Sequence, residues 1–316
     1  MKNIIIITQA LICIICISNC SMPEKKTFDE ELYGQKSPGT IPEIFEMNFN
    51  FIKNGNPVDF DFSPDYKEFI YTIRDTSINK RIIYYTQNKN GNWINPEIAY
   101  FVSNNGIGDD PKFSPDGKCI SFSSKGDLWQ ATKDGDRWTL AEKIPEPIST
   151  DKYECTISFS KNGNIYFAAN GRPEGKSKQC DIYCTRYIGI KSDSARNINN
   201  LNTGSSECSV TVSPNENYII FTRFCKKQGR RALDLYISFR QKEDNWSIAQ
   251  NLGPFINCSG TNTSPRFSND GKYFFFKQRI WNNRLEKYEE SKQYWISTKY
   301  FDDMRDFVFS PNKITE

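Results

Sequence analysis

The sequence predicts an all-β fold: a single β-propeller, a ring of four-stranded blades, most simply five of them. Three observations predict it. The first is a turn-forming anchor that recurs as Phe62-Ser63-Pro64-Asp65, Phe113-Ser114-Pro115-Asp116-Gly117, Phe159-Ser160-Lys161-Asn162-Gly163, Val212-Ser213-Pro214-Asn215 and Phe267-Ser268-Asn269-Asp270-Gly271, at steps of 51, 46, 53 and 55 residues. A period near 50 with about four strands per unit is the signature of a propeller blade. The second is an aromatic-rich segment after every anchor: Phe69-Ile70-Tyr71, Ile120-Ser121-Phe122, Ile165-Tyr166-Phe167, Ile219-Ile220-Phe221 and Tyr273-Phe274-Phe275-Phe276. The third is another strand-like segment further on in each unit: Ile82-Ile83-Tyr84-Tyr85, Asp127-Leu128-Trp129, Asp181-Ile182-Tyr183, Asp234-Leu235-Tyr236 and Tyr294-Trp295-Ile296. β-Branched and aromatic residues suit a pleated, half-buried surface, and 23 Phe and 16 Tyr supply it.

The anchor reads as a tight turn between two strands. In the second copy Pro115 presets φ, Asp116 bonds locally, and Gly117 accepts positive φ. Asp65, Asp116, Asn162, Asn215 and Asp270 recur with the turn, so their expected role is structural. Trp93, Trp138 and Trp246 close further turns and are expected to pack between blades.

Taken in order, residues 1–19 have a single early lysine, Lys2, and an apolar run from Ile4 to Ile17. That run is short for a bilayer span and has the layout of an export signal. It ends in Ile17-Ser18-Asn19-Cys20, which resembles the lipobox of bacterial lipoproteins. The resemblance implies cleavage before Cys20 and lipidation of that cysteine. Residues 20–40 are polar and read as a flexible tether. Residues 41–316 form the expected propeller. The strand-like segment Ile41 to Phe49 precedes the first anchor and has no turn of its own. It is assigned as the outer strand of the last blade, which closes the ring and removes open sheet edges. Phe309-Ser310-Pro311-Asn312 repeats the anchor once more, so a six-bladed ring is the alternative.

The repeated anchors and strands resemble the PD40, or WD40-like, repeats of TolB-like propellers and of Bacteroidetes lipoproteins. The resemblance covers roughly residues 41 to 300. It implies a propeller in the cell envelope and leaves the ligand open.

Candidate site residues follow from the repeat. The first strand of a blade lines the central channel, and the residues just before each anchor lie near one mouth. Asp59, Asp61, Asp109, Asp110, Glu154 and Glu207 fall there, with Asn262 and Thr263 in the last unit. Asp59, Asp110, Glu154 and Glu207 are the candidate binding residues. Converging carboxylates can bind a cation, a sugar or a basic peptide, or cleave a glycosidic bond when two stand roughly 5 to 10 Å apart. They can equally cap loop amides. The loops 171–179, 226–232 and 281–293 should decorate one rim, and Trp281 there is placed to stack on a sugar or a partner.

Composition removes several classes. The chain has no histidine, which excludes Ser-His-Asp and Cys-His catalysis, and its net charge of +3 comes without a basic stripe, so no nucleic-acid partner is expected. No cofactor is expected. Seven of the ten cysteines fall in the repeat region, an odd number that cannot pair completely. Buried thiols with at most one disulfide are expected, Cys180 and Cys184 being the nearest pair, and no metal site. The resulting expectation is a non-enzymatic, lipid-anchored envelope propeller that binds a protein or glycan. The alternatives are a glycosidase-like enzyme acting through Glu154 and Glu207 with Asp59 or Asp110, and a TolB-like scaffold for a peptidoglycan-associated complex.

Overall fold

The computed structural model describes residues 33–47, 49, 52, 56–188, 191–242, 245–257, 260–289 and 291–309. The export signal, Cys20, Cys258 and residues 310–316 lie outside them. The chain divides into Met1–Lys36, of which only residues 33–36 are described, and Ser37–Glu316. The second unit is a five-bladed β-propeller.

Blade 1 is built from β2 (Asp59–Phe62), β3 (Glu68–Asp75) and β4 (Lys80–Lys89). Its outer strand is broken into β5 (Asn92–Trp93) and β6 (Glu97–Ile98), both paired with β4. Blade 2 repeats this with β7 (Asp109–Phe113), β8 (Cys119–Ser124), β9 (Asp127–Asp134), β10 (Arg137–Trp138) and β11 (Glu142–Lys143). Blade 3 follows with β12 (Tyr153–Phe159), β13 (Asn164–Asn170), β14 (Cys180–Ile188), β15 (Lys191–Ser192) and β16 (Arg196–Asn197). Blade 4 has β17 (Glu207–Val212), β18 (Tyr218–Lys227), β19 (Arg230–Phe239) and β20 (Gln250–Asn251), followed by a short helix, α1 (Gly253–Ile256).

Blade 5 holds the closure. Its strands β21 (Thr261–Phe267), β22 (Tyr273–Arg279) and β25 (Lys292–Ser297) are joined by β1 (Glu43–Ile44) from the start of the ring. Glu43 pairs with Trp295 and Ile44 with Tyr294. Phe45 then buries its ring against Phe275 at 5.0 Å and Trp295 at 5.1 Å. The expected N-terminal closure is therefore present. A hairpin, β23 (Trp281–Asn282) and β24 (Lys287–Tyr288), projects from the same blade. The sixth anchor starts no further blade among the described residues. Phe309 instead ends a helix, α2 (Lys299–Phe309), which sets Phe301 against Phe274 at 5.2 Å and Tyr218 at 5.6 Å.

The anchors work as read, with one addition. In all five, the serine hydroxyl accepts an N–H at or just before the start of the next strand: Glu68, Cys119, Asn164, Tyr218 and Tyr273 donate, at 2.9 to 3.1 Å. Asp65, Asp116 and Asp270 each accept the serine O–H at 2.6 Å. Asn162 reaches instead to Glu216 of blade 4 at 3.3 Å.

Apolar clusters fill the spaces between blades. Trp138 packs on Phe101 and Phe113 and donates Nε1–H to Glu68 of blade 1 at 3.0 Å. Trp246 meets Tyr166 of blade 3 edge-on at 5.9 Å. Trp93 lies beside Phe62 and Phe69 of its own blade. The described cysteines are all free, and Cys180 and Cys184 sit four residues apart on β14. At ~3.3 Å per strand residue that separation is far beyond disulfide reach, so this pairing is corrected.

Candidate functional site

The inner strands β2, β7, β12, β17 and β21 line a central channel. In each, the side chain two positions before the anchor serine points into it, giving a ring of Asp61, Lys112, Ser158, Thr211 and Arg266 around a cavity of about 70 Å³. Four of these strands carry a β-bulge just upstream, between Asp109 and Lys112, Glu154 and Ile157, Cys208 and Thr211, and Thr263 and Arg266. Bulges re-aim side chains and are common beside functional sites. Two ring members also tie neighbouring blades. Asp61 accepts the Phe113 N–H at 2.8 Å, and Ser158 accepts the Val212 N–H at 3.0 Å.

Arg266 stands apart. It is 3% exposed, and none of its three guanidinium nitrogens has a hydrogen-bond partner. Its guanidinium lies 4.2 Å from the Phe60 ring centroid. A buried donor left unmade costs about 1–3 kcal/mol, more for a charged group. A cation–π contact returns part of that. The remaining donors face a polar cavity.

Behind the ring lies a charge network from blades 5, 1 and 2. Lys112 pairs with Asp110 at 3.2 Å, and Arg81 pairs with Asp109. Lys277, 8% exposed, donates to the Pro57 carbonyl at 2.9 Å. Burial pushes the Asp61 carboxyl up against the opposing pull of Arg266 and Lys112. Burial likewise raises Asp110, opposed first by Lys112. Burial, with the Asp59 charge beside it, pushes Asp109 up to about 7. Burial also lowers Lys277.

The four predicted residues separate into two kinds. Asp59, 5% exposed, and Asp110 belong to this network. Glu154 and Glu207 do not line the cavity. Each is fully buried and bound to its own loop and an arginine. Glu154 accepts Thr150 Oγ1–H at 2.7 Å and Arg172 at 3.0 Å. Glu207 accepts Thr203 Oγ1–H at 2.6 Å and Arg223 at 2.7 Å. Blades 3 and 4 thus repeat one Thr-Glu-Arg brace. Trp281 is capped by Arg230 at 4.2 Å and meets Tyr288 edge-on.

Sequence reasoning looked for acids and so passed over Lys112 and Arg266. The signal was present, because both occupy the register of Asp61. It also missed a thiol cluster: the Sγ atoms of Cys155, Cys180 and Cys208 lie within 4.8 Å of one another. Hydrogen bonds from Cys155 and Cys180 hold the Cys208 thiol well below its usual range.

No protein-family model matches the chain. No curated protein matches it in sequence. Solved structures do. The putative TolB from Agrobacterium tumefaciens is 12% identical, with a TM-score of 0.50 and 77% of each chain covered. The Swd1 β-propeller domain from Myceliophteria thermophila is 10% identical, with a TM-score of 0.45, covering 82% of this chain and 78% of that one. An α-L-arabinofuranosidase from Podospora anserina, solved in complex with cellotriose, is 10% identical, with a TM-score of 0.43, covering 83% of this chain and 95% of that one. At such identities the first likeness bears on the fold alone, and the other two TM-scores carry no argument.

Proposed function

We propose that this protein is a non-catalytic binding propeller that holds an anionic group of a protein or glycan partner in its central channel. The observation that carries the reading is Arg266: a buried guanidinium whose donors have no partner, at the wall of a polar cavity. Charge-assisted, bidentate bonds to a carboxylate suit that fork, with Ser158 and Thr211 supplying hydroxyls across the ring. The leader pattern supports attachment through a lipidated Cys20 in the bacterial envelope, and the repeats support a PD40-type lipoprotein of the Bacteroidetes kind.

The test is a binding screen of the full chain against acidic and neutral glycans and against peptides with free or amidated C-termini. Ligands bearing a carboxylate are expected to bind, and Arg266→Gln to weaken them about 10- to 100-fold, the loss of one or two charged hydrogen bonds. Binding indifferent to both the carboxylate and Arg266 refutes the reading. Lipidation is read separately, by fatty-acid labelling lost in Cys20→Ala.

One observation favours a second reading, a glycosidase-like enzyme. Asp109 and Asp59 lie in one buried network beside Arg81, and burial with the Asp59 charge pushes Asp109 up to about 7, in the range a general acid uses. Hydrolysis of a glycan that is abolished by both Asp109→Asn and Asp59→Asn would establish it. The same binding screen, run with peptidoglycan-associated proteins, tests the TolB-like scaffold.

A further inference from the structure

We propose that Cys155, Cys180 and Cys208 form a three-thiolate site for a soft monovalent cation, Cu(I), at the junction of blades 3 and 4. The first argument is the repeat register. Cys155 and Cys208 each stand five residues before their anchor serines, Ser160 and Ser213. In blades 2 and 5 the same register is occupied by Asp109 and Thr263. Two adjacent blades therefore place a thiol at one structural position. Both cysteines also border the β-bulges of β12 and β17, where side chains are turned out of regular alternation. Cys180 completes the set from the first residue of β14.

The second argument is size. Thiolates about 2.3 Å from a central metal in a trigonal plane stand about 4.0 Å apart. The Cys155 and Cys180 sulfurs are 4.0 Å apart, and all three lie within 4.8 Å. A disulfide needs its sulfurs near 2.05 Å and would leave the third thiol out. The third argument is donor softness and number. Thiolates select Cu(I) and zinc, but zinc takes a fourth ligand in its structural sites. The chain has no histidine, and no carboxylate joins the three sulfurs among the described residues. Three sulfurs satisfy Cu(I). Cys155 and Cys208 are partly exposed, so the cation has a path in, while Cys180 is buried and fixes the base. Local hydrogen bonds position the group: Ser206 Oγ accepts the Cys180 N–H at 3.4 Å and lies 3.5 Å from the Cys208 sulfur. On binding, each thiol that is still protonated gives up its proton to solvent, and no oxidation change occurs.

The test uses the full chain, purified reduced under anaerobic conditions and titrated with Cu(I) against a competing chelator. Cys155→Ser, Cys180→Ser and Cys208→Ser should each lose one equivalent of tightly held copper relative to the parent, whereas Cys184→Ser and Cys119→Ser should keep it. X-ray absorption on the loaded protein should give about three sulfur neighbours at about 2.3 Å. Because serine is nearly isosteric, thermal unfolding of the unloaded variants checks that the ring is intact. Unchanged copper stoichiometry in Cys155→Ser or Cys208→Ser overturns the proposal. So does a Cys155–Cys180 disulfide found by mass spectrometry in protein taken directly from its own membranes.

Discussion

The blade 1–blade 2 interface offers a quantitative test of how the ring is held. Glu68 is 4% exposed and accepts from Trp138 Nε1 at 3.0 Å, from Lys133 Nζ at 2.5 Å and from the Tyr85 hydroxyl. Removing it in Glu68→Ala leaves Trp138 Nε1 with only the weaker Tyr85 contact at 3.3 Å, in a side chain 3% exposed. An unmet buried donor costs about 1–3 kcal/mol, and the space left by the side chain adds about 1 kcal/mol. Lys133 is 30% exposed and turns to water at little cost. The expected loss is therefore about 2–4 kcal/mol, or roughly 4–8 °C in Tm for a domain of this size. Glu68→Gln keeps an acceptor for the indole and should lose about 1 kcal/mol. Lys133→Met leaves the buried carboxylate with its Trp138 and Tyr85 donors but without its counter-charge, so the pair Glu68→Gln with Lys133→Met should cost less than the two single changes added together. Denaturant unfolding of the parent and the four variants, with equal m-values, measures this. A loss below ~1 kcal/mol for Glu68→Ala, or additive single changes, would refute the reasoning.

Three further outcomes are expected. Phe45→Ala removes a ring that is 2% exposed and packs on Phe60, Phe275 and Trp295; it should cost about 3–5 kcal/mol and speed hydrogen exchange in β25, whereas protection unchanged in β25 would deny β1 its closing role. A carboxyl raised in the fold binds its proton more tightly than the unfolded chain does, so the contribution of Asp109 to stability is present below its ordinary 3.8 and is lost as pH rises through about 7. Its side chain is 26% exposed, so solvent softens the effect, but Asp109→Asn should still flatten the fall in Tm across that window, and an unchanged slope would count against it. Gly260→Ala would set Cβ 1.8 Å from the Arg279 carbonyl oxygen, whereas Gly204 has nothing within 4 Å; thermal melts should show a loss of ~3 kcal/mol or more for the first and almost none for the second.

The architecture was legible because it rests on local chemistry repeated in register. Each anchor sets its turn within a few residues, and five copies fix five blades. Closure was legible by count, because the last unit lacked an outer strand and the segment before the first anchor had strand character without a turn. Phe309 misleads because the anchor motif is short. Its neighbours Asp302, Met304 and Val308 carry no strand alternation, and Phe301 is drawn down onto blades 4 and 5 as part of a helix. The site was half legible. Position in the repeat located Asp59 and Asp110 beside the channel, but it could not foresee that Arg172 and Arg223, 18 and 16 residues downstream of Glu154 and Glu207, would bind those two carboxylates. Ion pairs formed across a sheet leave no spacing rule in the sequence. The thiol cluster was hidden in the same way, since Cys155 and Cys208 are one blade apart and meet only when neighbouring inner strands are side by side.

Charge is unevenly distributed around the channel. Blades 5, 1 and 2 supply Arg266, Asp61, Lys112, Asp110 and Lys277, and it is there that the chain's two ends must be joined. Two residue pairs join β1 to β25, and backbone bonds from Phe45 N–H to the Gln293 carbonyl and from Ser297 N–H to the Gly39 carbonyl, both 2.9 Å, extend that seam. Lys277 of blade 5 adds a tie by donating to Pro57, on the approach to blade 1, and Asp61 of blade 1 adds another by accepting from Phe113 of blade 2. Charged groups are suited to this sector because their hydrogen bonds are roughly twice as strong as neutral ones. Blades 3 and 4 are tied as well, because the buried Glu216 of blade 4 accepts from Asn162, Asn164 and Tyr166 of blade 3 and Ser158 accepts the Val212 N–H. Their channel positions carry Ser158 and Thr211, groups whose desolvation is mild. One face of the channel therefore carries charge, with the partnerless donors of Arg266 among the described residues, while the opposite face carries hydroxyls.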